Sequence, residues 1–157
     1  MSDAFQRGWD LAKMPIVPNS LIQDEQGYSA LFKDPVTEEI IPIKIGLGTG
    51  KSYAEITHPD EGLPRSEVSF QNWGDNGEKN VYESRGTSTI LGHRRKGYAT
   101  ALYNILAHLL KDKKYGGAIY PSSDELLEDG VKFWDNAYET GKTNPDGSWR
   151  SDLYDRL

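Results

Sequence analysis

The character of this chain changes at about Lys96, and that change sets its fold class. From Tyr28 to about Ile90 the signals are those of strands, in YSALFKD, EIIPIKI, KSYAEITH, SEVSFQNW and VYESRGTSTI, and Tyr53, Glu55 and Thr57 alternate with Ala54 and Ile56. A period of two is that of a strand with one buried face. The runs are separated by DPVT, GLGTG, HPDEGLP and GDNGEKN, rich in the residues that turn a chain back on itself. Four or five strands in succession at this spacing predict an antiparallel meander. From Lys96 the period becomes that of a helix. KGYATALYNILAHLLKDKK sets Leu102, Ile105, Leu106, Leu109 and Leu110 on one stripe, and Lys111, Lys113 and Lys114 at its end suit the negative pole of a helix.

The flanking segments are helical or short. Ser2 or Asp3 can cap a helix to about Lys13, with Phe5, Trp9 and Ala12 on one face, ended by Pro15 and Pro18. GGAIYP reads as a short buried strand. Ser122 and Glu125 form a capping box for a helix over about Asp124 to Glu139, which Gly130 weakens or splits and Gly141 closes. NPDG, Asn144 to Gly147, is a turn, and SWRSDLY after it reads as a last strand. The expectation is an α+β fold: a mostly antiparallel mixed sheet flanked by helices, in one domain over residues 1–157.

Composition excludes several classes of function. The chain is 36% hydrophobic, and its four Trp, nine Tyr and four Phe supply bulk for a core. With no cysteine there is no disulfide, thiolate metal site or cysteine nucleophile. The N-terminus lacks the pattern of a signal peptide and no apolar run is long enough to span a bilayer, so a soluble cytoplasmic protein with no membrane partner is expected. A net charge of −6 argues against a general nucleic-acid binder. It reads first as ordinary solubility charge and is compatible with a cationic or amine-bearing substrate.

Two glycine loops compete for the role of phosphate cradle. GLGTGKS, Gly46 to Ser52, has the ending of a nucleotide-binding P-loop. The first glycine of that motif is replaced by Ile45, and no helix follows, because Tyr53, Glu55 and Thr57 alternate with Ala54 and Ile56 as in a strand. No later apolar run ends in an aspartate to hold magnesium. GLGTGKS is therefore expected to join two strands. RRKGYA, Arg94 to Ala99, lies between a strand and the strongest amphipathic helix. Gly97 and Ala99 let the backbone approach a ligand, the first helical N–H groups point at an anion, and Arg94, Arg95 and Lys96 surround it with positive charge.

These residues resemble the GNAT superfamily of N-acetyltransferases. Arg94-Arg95-Lys96-Gly97-Tyr98-Ala99 fits its [RQ]-x-x-G-x-[GA] signature, and the order of elements is similar from Tyr28 to the end. The helix-first N-terminus and brief C-terminal tail are less typical. The helical N-terminus and KFWDNA also look like acetyltransferase-like proteins of tailed bacteriophages. The resemblance implies a three-layer GNAT-like fold. It also implies acetyl-coenzyme A as cofactor and an amine of a protein or small molecule as acceptor. The cofactor would lie against Arg94, Arg95, Lys96, Gly97, Tyr98, Ala99 and Thr100 through its pyrophosphate. It would meet Thr89, Ile90 and Leu91 through its pantetheine arm, with one N–H there as oxyanion donor.

Direct attack of an amine on a thioester needs a base, a polarised carbonyl and a proton for the leaving thiolate. The histone-acetyltransferase branch carries a glutamate eleven residues before the first signature position, which is Glu83 here. Its other reading is a strand residue paired with Arg85. Many family members carry a tyrosine where this chain has Trp134, whose indole has no proton to give at a useful pKa. Tyr138, one turn on, or Ser122 or Ser123 can be offered instead, or the thiolate leaves unaided. The rival reading is a GNAT-like fold without catalysis, a binding or virion-associated module acting on a host protein. His93 sits beside the cationic loop as a surface or phosphate-touching residue, and His58 precedes Pro59 in a turn. His108 is expected on a solvated helix face with Asn104 and Lys111. No two histidines are spaced as metal ligands, so no metal is expected. Trp9, Trp73, Trp134 and Trp149 read as core or rim packing.

Overall fold

The computed structural model describes residues 15–25, 27–47, 52–75, 80–90, 92, 97–112, 115–121 and 128–154, with backbone alone at 73–75, 80, 128 and 129. The expected N-terminal helix lies outside them. Seven strands form one sheet in sequence order: β1 (Ile22–Asp24), β2 (Gly27–Lys33), β3 (Ile40–Gly46), β4 (Ser52–Ile56), β5 (Ser66–Asp75), β6 (Asn80–Thr89) and β7 (Gly117–Tyr120). The first six are joined antiparallel, and β7 pairs parallel with β6 from Asn80↔Gly117 to Glu83↔Tyr120. Two helices complete the described fold, α1 (Tyr98–Leu110) and α2 (Glu128–Glu139), giving a sheet-dominated α+β architecture. Among the described residues no helix is long and apolar enough to cross a membrane.

Alternation along each strand builds the core. Ala30 and Phe32, Ile41, Ile43 and Ile45, Ala54 and Ile56, then Val68 and Phe70 are all buried. The apolar stripe of α1 packs against this side of the sheet, with Leu102, Ile105, Leu106 and Leu110 fully buried. Burial of each such side chain is worth about 1.5–3 kcal/mol, which makes the α1 stripe the main adhesive between helix and sheet.

The elements differ from expectation in informative places. β1 is a three-residue exposed edge, IQD, with no alternation to announce it. Gly130 does not split α2, which runs unbroken from Glu128. At its end Gly141 adopts φ 75, while its N–H reaches the Tyr138 carbonyl and the Lys142 N–H reaches that of Ala137. That pair of bonds is a left-handed helix cap, as Gly141 predicts. SWRSDLY does not form a strand: only a single bridge, Thr143↔Trp149, stands there. The NPDG turn does form, with the Gly147 N–H donated to the Asn144 carbonyl at 2.9 Å. β3 and β4 pair antiparallel, with Gly46↔Tyr53 the last pair, so GLGTGKS begins at the end of one hairpin strand and its Ser52 opens the next.

The polar face expected for α1 is solvated only in part: Lys111 is exposed, His108 half-buried and Asn104 buried. Trp149 folds back over it, 1% exposed, and donates its Nε1–H to Asn104 Oδ1 at 2.8 Å. His108 lies against Tyr154, the ring centroids 4.4 Å apart. The C-terminal segment thus gives α1 a second buried side. Trp149 stacks on Tyr103 at 4.9 Å and on Phe133 at 5.7 Å, and Trp134 meets Tyr103 and Trp149 edge-on.

Candidate functional site

The parting of β6 from β7 creates the most distinctive backbone feature. Their parallel pairing stops at Glu83↔Tyr120, yet β6 continues to Thr89. Its pairing with β5 also shifts there: Phe70 faces Ser84 and Ser69 faces Gly86, leaving Arg85 as an extra residue. Such a bulge re-phases the side chains beyond it. Ser84 and Thr87 consequently face α1 together, and Thr89 follows them.

That face carries a row of hydroxyls. The Tyr103 hydroxyl of α1 lies 2.7 Å from Ser84 Oγ and 2.6 Å from Thr87 Oγ1, and Thr89 Oγ1 lies 2.9 Å from Ser66 Oγ. Burial pushes the Tyr103 hydroxyl up to about 12, so it stays a neutral donor and acceptor around neutral pH. Tyr103 was not among the residues singled out by sequence, because a tyrosine inside an apolar helix stripe reads as packing. The serine–threonine run ESRGTST was the available signal.

The backbone of β6 distinguishes among the residues expected to line the pantetheine arm. The Ile90 N–H is donated to the Arg65 carbonyl at 2.8 Å, so that amide is already used. Alternate residues of an antiparallel strand direct their amides to opposite sides. Thr89 and Thr87 therefore turn theirs away from β5, toward the edge where β7 has ended. Leu91 lies outside the described residues.

The signature segment is partly described. Arg94, Arg95, Lys96 and His93 lie outside the described residues. Gly97 has φ 80, a conformation favoured by glycine, and its carbonyl accepts the Ala101 N–H at 2.9 Å to begin α1. Among the described residues an alanine Cβ there would meet only Pro15, at 3.8 Å, so the positive φ is the reason on the page for glycine. Ala99 and Thr100 are half-buried in the first turn. The Tyr98 side chain faces inward, 1% exposed, with its ring 4.2 Å from Phe32. Its hydroxyl donates to Asp34 Oδ2 and accepts from Arg65 Nη1 at 3.2 Å. Arg65 in turn forks onto Glu61 at 3.0 and 2.9 Å, and the Asp34 Oδ1 holds the Val36 and Thr37 amides. Burial, followed by the bond to Asp34, pushes the Tyr98 hydroxyl up to about 12. The bonds to Glu61 raise Arg65 further above its already high value. Tyr98 therefore anchors the start of α1 to the β2–β3 turn.

The described acid–base candidates differ in exposure. Glu83 is 7% exposed, at the point where β6 and β7 part, with Arg85 Nη1 3.6 Å from its Oε1. By strand alternation it occupies the face opposite Tyr82 and Ser84. Tyr138 is 69% exposed on α2, while Trp134 one turn earlier is buried. Ser122 and Ser123 lie outside the described residues. Among the described residues no group of three or more His, Asp or Glu is placed to hold a metal ion. The chain matches no model of a known protein family and no curated protein sequence.

Proposed function

We propose that the chain is a GNAT-like N-acetyltransferase, moving an acetyl group from acetyl-coenzyme A to an amine of a protein or small molecule. The observation that carries this reading is the strand β6 running past the end of β7 and leading, through RRKGYA, to a helix begun by Gly97 in a left-handed conformation. In this reading the pantetheine arm lies along the outward amides of Thr87 and Thr89. The pyrophosphate meets the first turn of α1, with Arg94, Arg95 and Lys96 supplying charge. Glu83 takes the proton of the attacking amine, directly or through one water. The amine nitrogen then bonds to the acetyl carbon, and the tetrahedral centre collapses with loss of the thiolate. Tyr103 orients Ser84 and Thr87 along the cleft. Tyr138 and Ser123 are the groups offered for returning a proton to sulfur.

A second reading, a GNAT-like binding module without transfer, is favoured by one observation. Trp134 is packed edge-on against Tyr103 and Trp149, where a proton-donating side chain would otherwise serve. Calorimetric or thermal-shift titration with acetyl-coenzyme A tests the proposal first. At a concentration about 100-fold above Kd, binding to the native state raises stability by ~2.7 kcal/mol. Arg94→Ala together with Gly97→Glu abolishes the rise measured from that variant's own unliganded baseline, while Lys51→Ala leaves it intact. No rise in the unaltered protein sinks the proposal. A rise lost with Lys51→Ala transfers the site to GLGTGKS. Binding with no acetyl transfer to a panel of amines selects the second reading, and unchanged turnover across pH in Glu83→Gln removes that base.

A further inference from the structure

On the sheet face turned away from α1, a cavity of about 290 Å³ is lined by Pro42, Lys44, Glu55, Thr57, His58 and Glu61, among others. That volume lies at the lower limit of small-ligand pockets, ~300–1,000 Å³, which suits a metabolite rather than a peptide. The floor is two strands deep. Lys44 and Glu55 are directly opposed in the β3–β4 register, and the Thr57 N–H donates to the Pro42 carbonyl.

The wall is a pinned turn. The Asp60 N–H donates to His58 Nδ1 at 3.1 Å, so the ring proton sits on Nε2, 3.1 Å from Glu39 Oε2. The Glu61 N–H donates to the His58 carbonyl at 3.0 Å, and the Glu61 carboxylate is clamped by Arg65. A cavity with such a wall is formed before any ligand arrives, which lowers the ordering cost of binding.

Three features of the floor converge on one chemistry. Lys44 and Glu55, though opposite each other, have no side-chain partner among the described residues. Glu55 also faces Glu67 on its other side in the β4–β5 register, and like charges directly opposed in a sheet are unfavourable. Thr57 Oγ1 is buried and has no hydrogen-bond partner among the described residues, an unfavourable state for a polar group. A ligand cation alone would leave Lys44 and the hydroxyl unanswered, and an anion alone would meet Glu55 and Glu61.

We infer that this cavity binds a small zwitterionic α-amino acid, its ammonium on Glu55 and its carboxylate between Lys44 and the Thr57 hydroxyl. The site is separate from the proposed transfer cleft and stands whether or not the chain transfers acetyl groups. Glycine and L-alanine are titrated into the isotopically labelled full chain, with ethylamine and propionate as single-charge controls. Saturable shifts at the Glu55 and Thr57 amides are expected, with both controls at least about tenfold weaker. Thr57→Val, isosteric, weakens L-alanine about tenfold. It leaves the melting temperature unchanged or higher, because it replaces an unpartnered hydroxyl by a methyl group. Glu55→Gln weakens binding likewise, and carries the test if the first variant does not fold. No saturable shift with either amino acid, controls that bind as well, or undiminished binding in the folded variants overturns the inference.

Discussion

Removal of one oxygen from Tyr98 tests what holds the start of α1. Tyr98→Phe keeps the ring against Phe32, so no cavity opens, but deletes the bond to Asp34 Oδ2 and the 3.2 Å bond from Arg65. Asp34 is fully buried, and hydrogen bonds to a charged group are worth ~1.5–3 kcal/mol. The Arg65 bond adds less, because its guanidinium stays forked on Glu61. The expected loss is therefore about 2–3 kcal/mol. With a urea m-value of ~1–3 kcal/mol/M, the unfolding midpoint falls by about 1 M at constant m. Asp34→Asn keeps an oxygen for the Val36 and Thr37 amides while removing the charge. In a double-mutant cycle, Tyr98→Phe and Asp34→Asn couple by ~1 kcal/mol or more. A loss under ~0.5 kcal/mol, or strict additivity, would refute the view that this hydroxyl ties helix to turn.

Alkaline stability reports the same burial. Tyr98 and Tyr103 are pushed up from 10 to about 12, so their unfolded hydroxyls ionise first; stability is whole below pH 10 and is lost as pH climbs toward 12. Urea melts across that window show a shallower decline in Tyr103→Phe than in the unaltered protein, and an unchanged slope would contradict the assignment. Asn104→Ala strands the buried Trp149 Nε1–H now bonded at 2.8 Å, lowering stability by about 1–3 kcal/mol in chemical denaturation. Gly141→Ala meets no atom of the described residues within 4 Å, so its cost is torsional, about 1–2 kcal/mol, and Gly141→Asn costs less in the same melts.

The meander was legible because its physics is local. Alternation at Ile41, Ile43 and Ile45, or at Ala54 and Ile56, names the buried face of each strand, and the turn residues name the ends. The alternation of Tyr53, Glu55 and Thr57 likewise made GLGTGKS a link between strands rather than the mouth of a helix. What escaped depends on partners distant in sequence. Asn104 and His108 lie opposite the leucine stripe, and Trp149 and Tyr154, arriving from the far end of the chain, cover that part of the helix. The same aromatic stack drew SWRSDLY away from strand pairing. Tyr103 became a polar contact because Arg85 bulges and brings Ser84 and Thr87 to one side, a register shift invisible in residue types. Of the candidate site, Gly97 and the extended β6 were readable, whereas the inward turn of Tyr98 required its buried partners Asp34 and Arg65.

The sheet order, β1 to β7 without permutation, also imposes a history on folding. Every neighbour among the first six strands is reached by a short reversal, so each pairing closes a small loop and restricts few residues at once. Nucleation can therefore begin at any of these hairpins and spread outward. The last seam differs: β7 meets β6 only after the chain has travelled from Thr89 through α1 to Gly117. Contacts of greater sequence separation form more slowly, so the β6–β7 seam is the last to be sewn. Trp149, whose N–H reaches the Ile119 carbonyl of β7, fastens that edge from outside. A nascent chain released from synthesis before Trp149 would thus carry the meander but lack the fastening of its final strand.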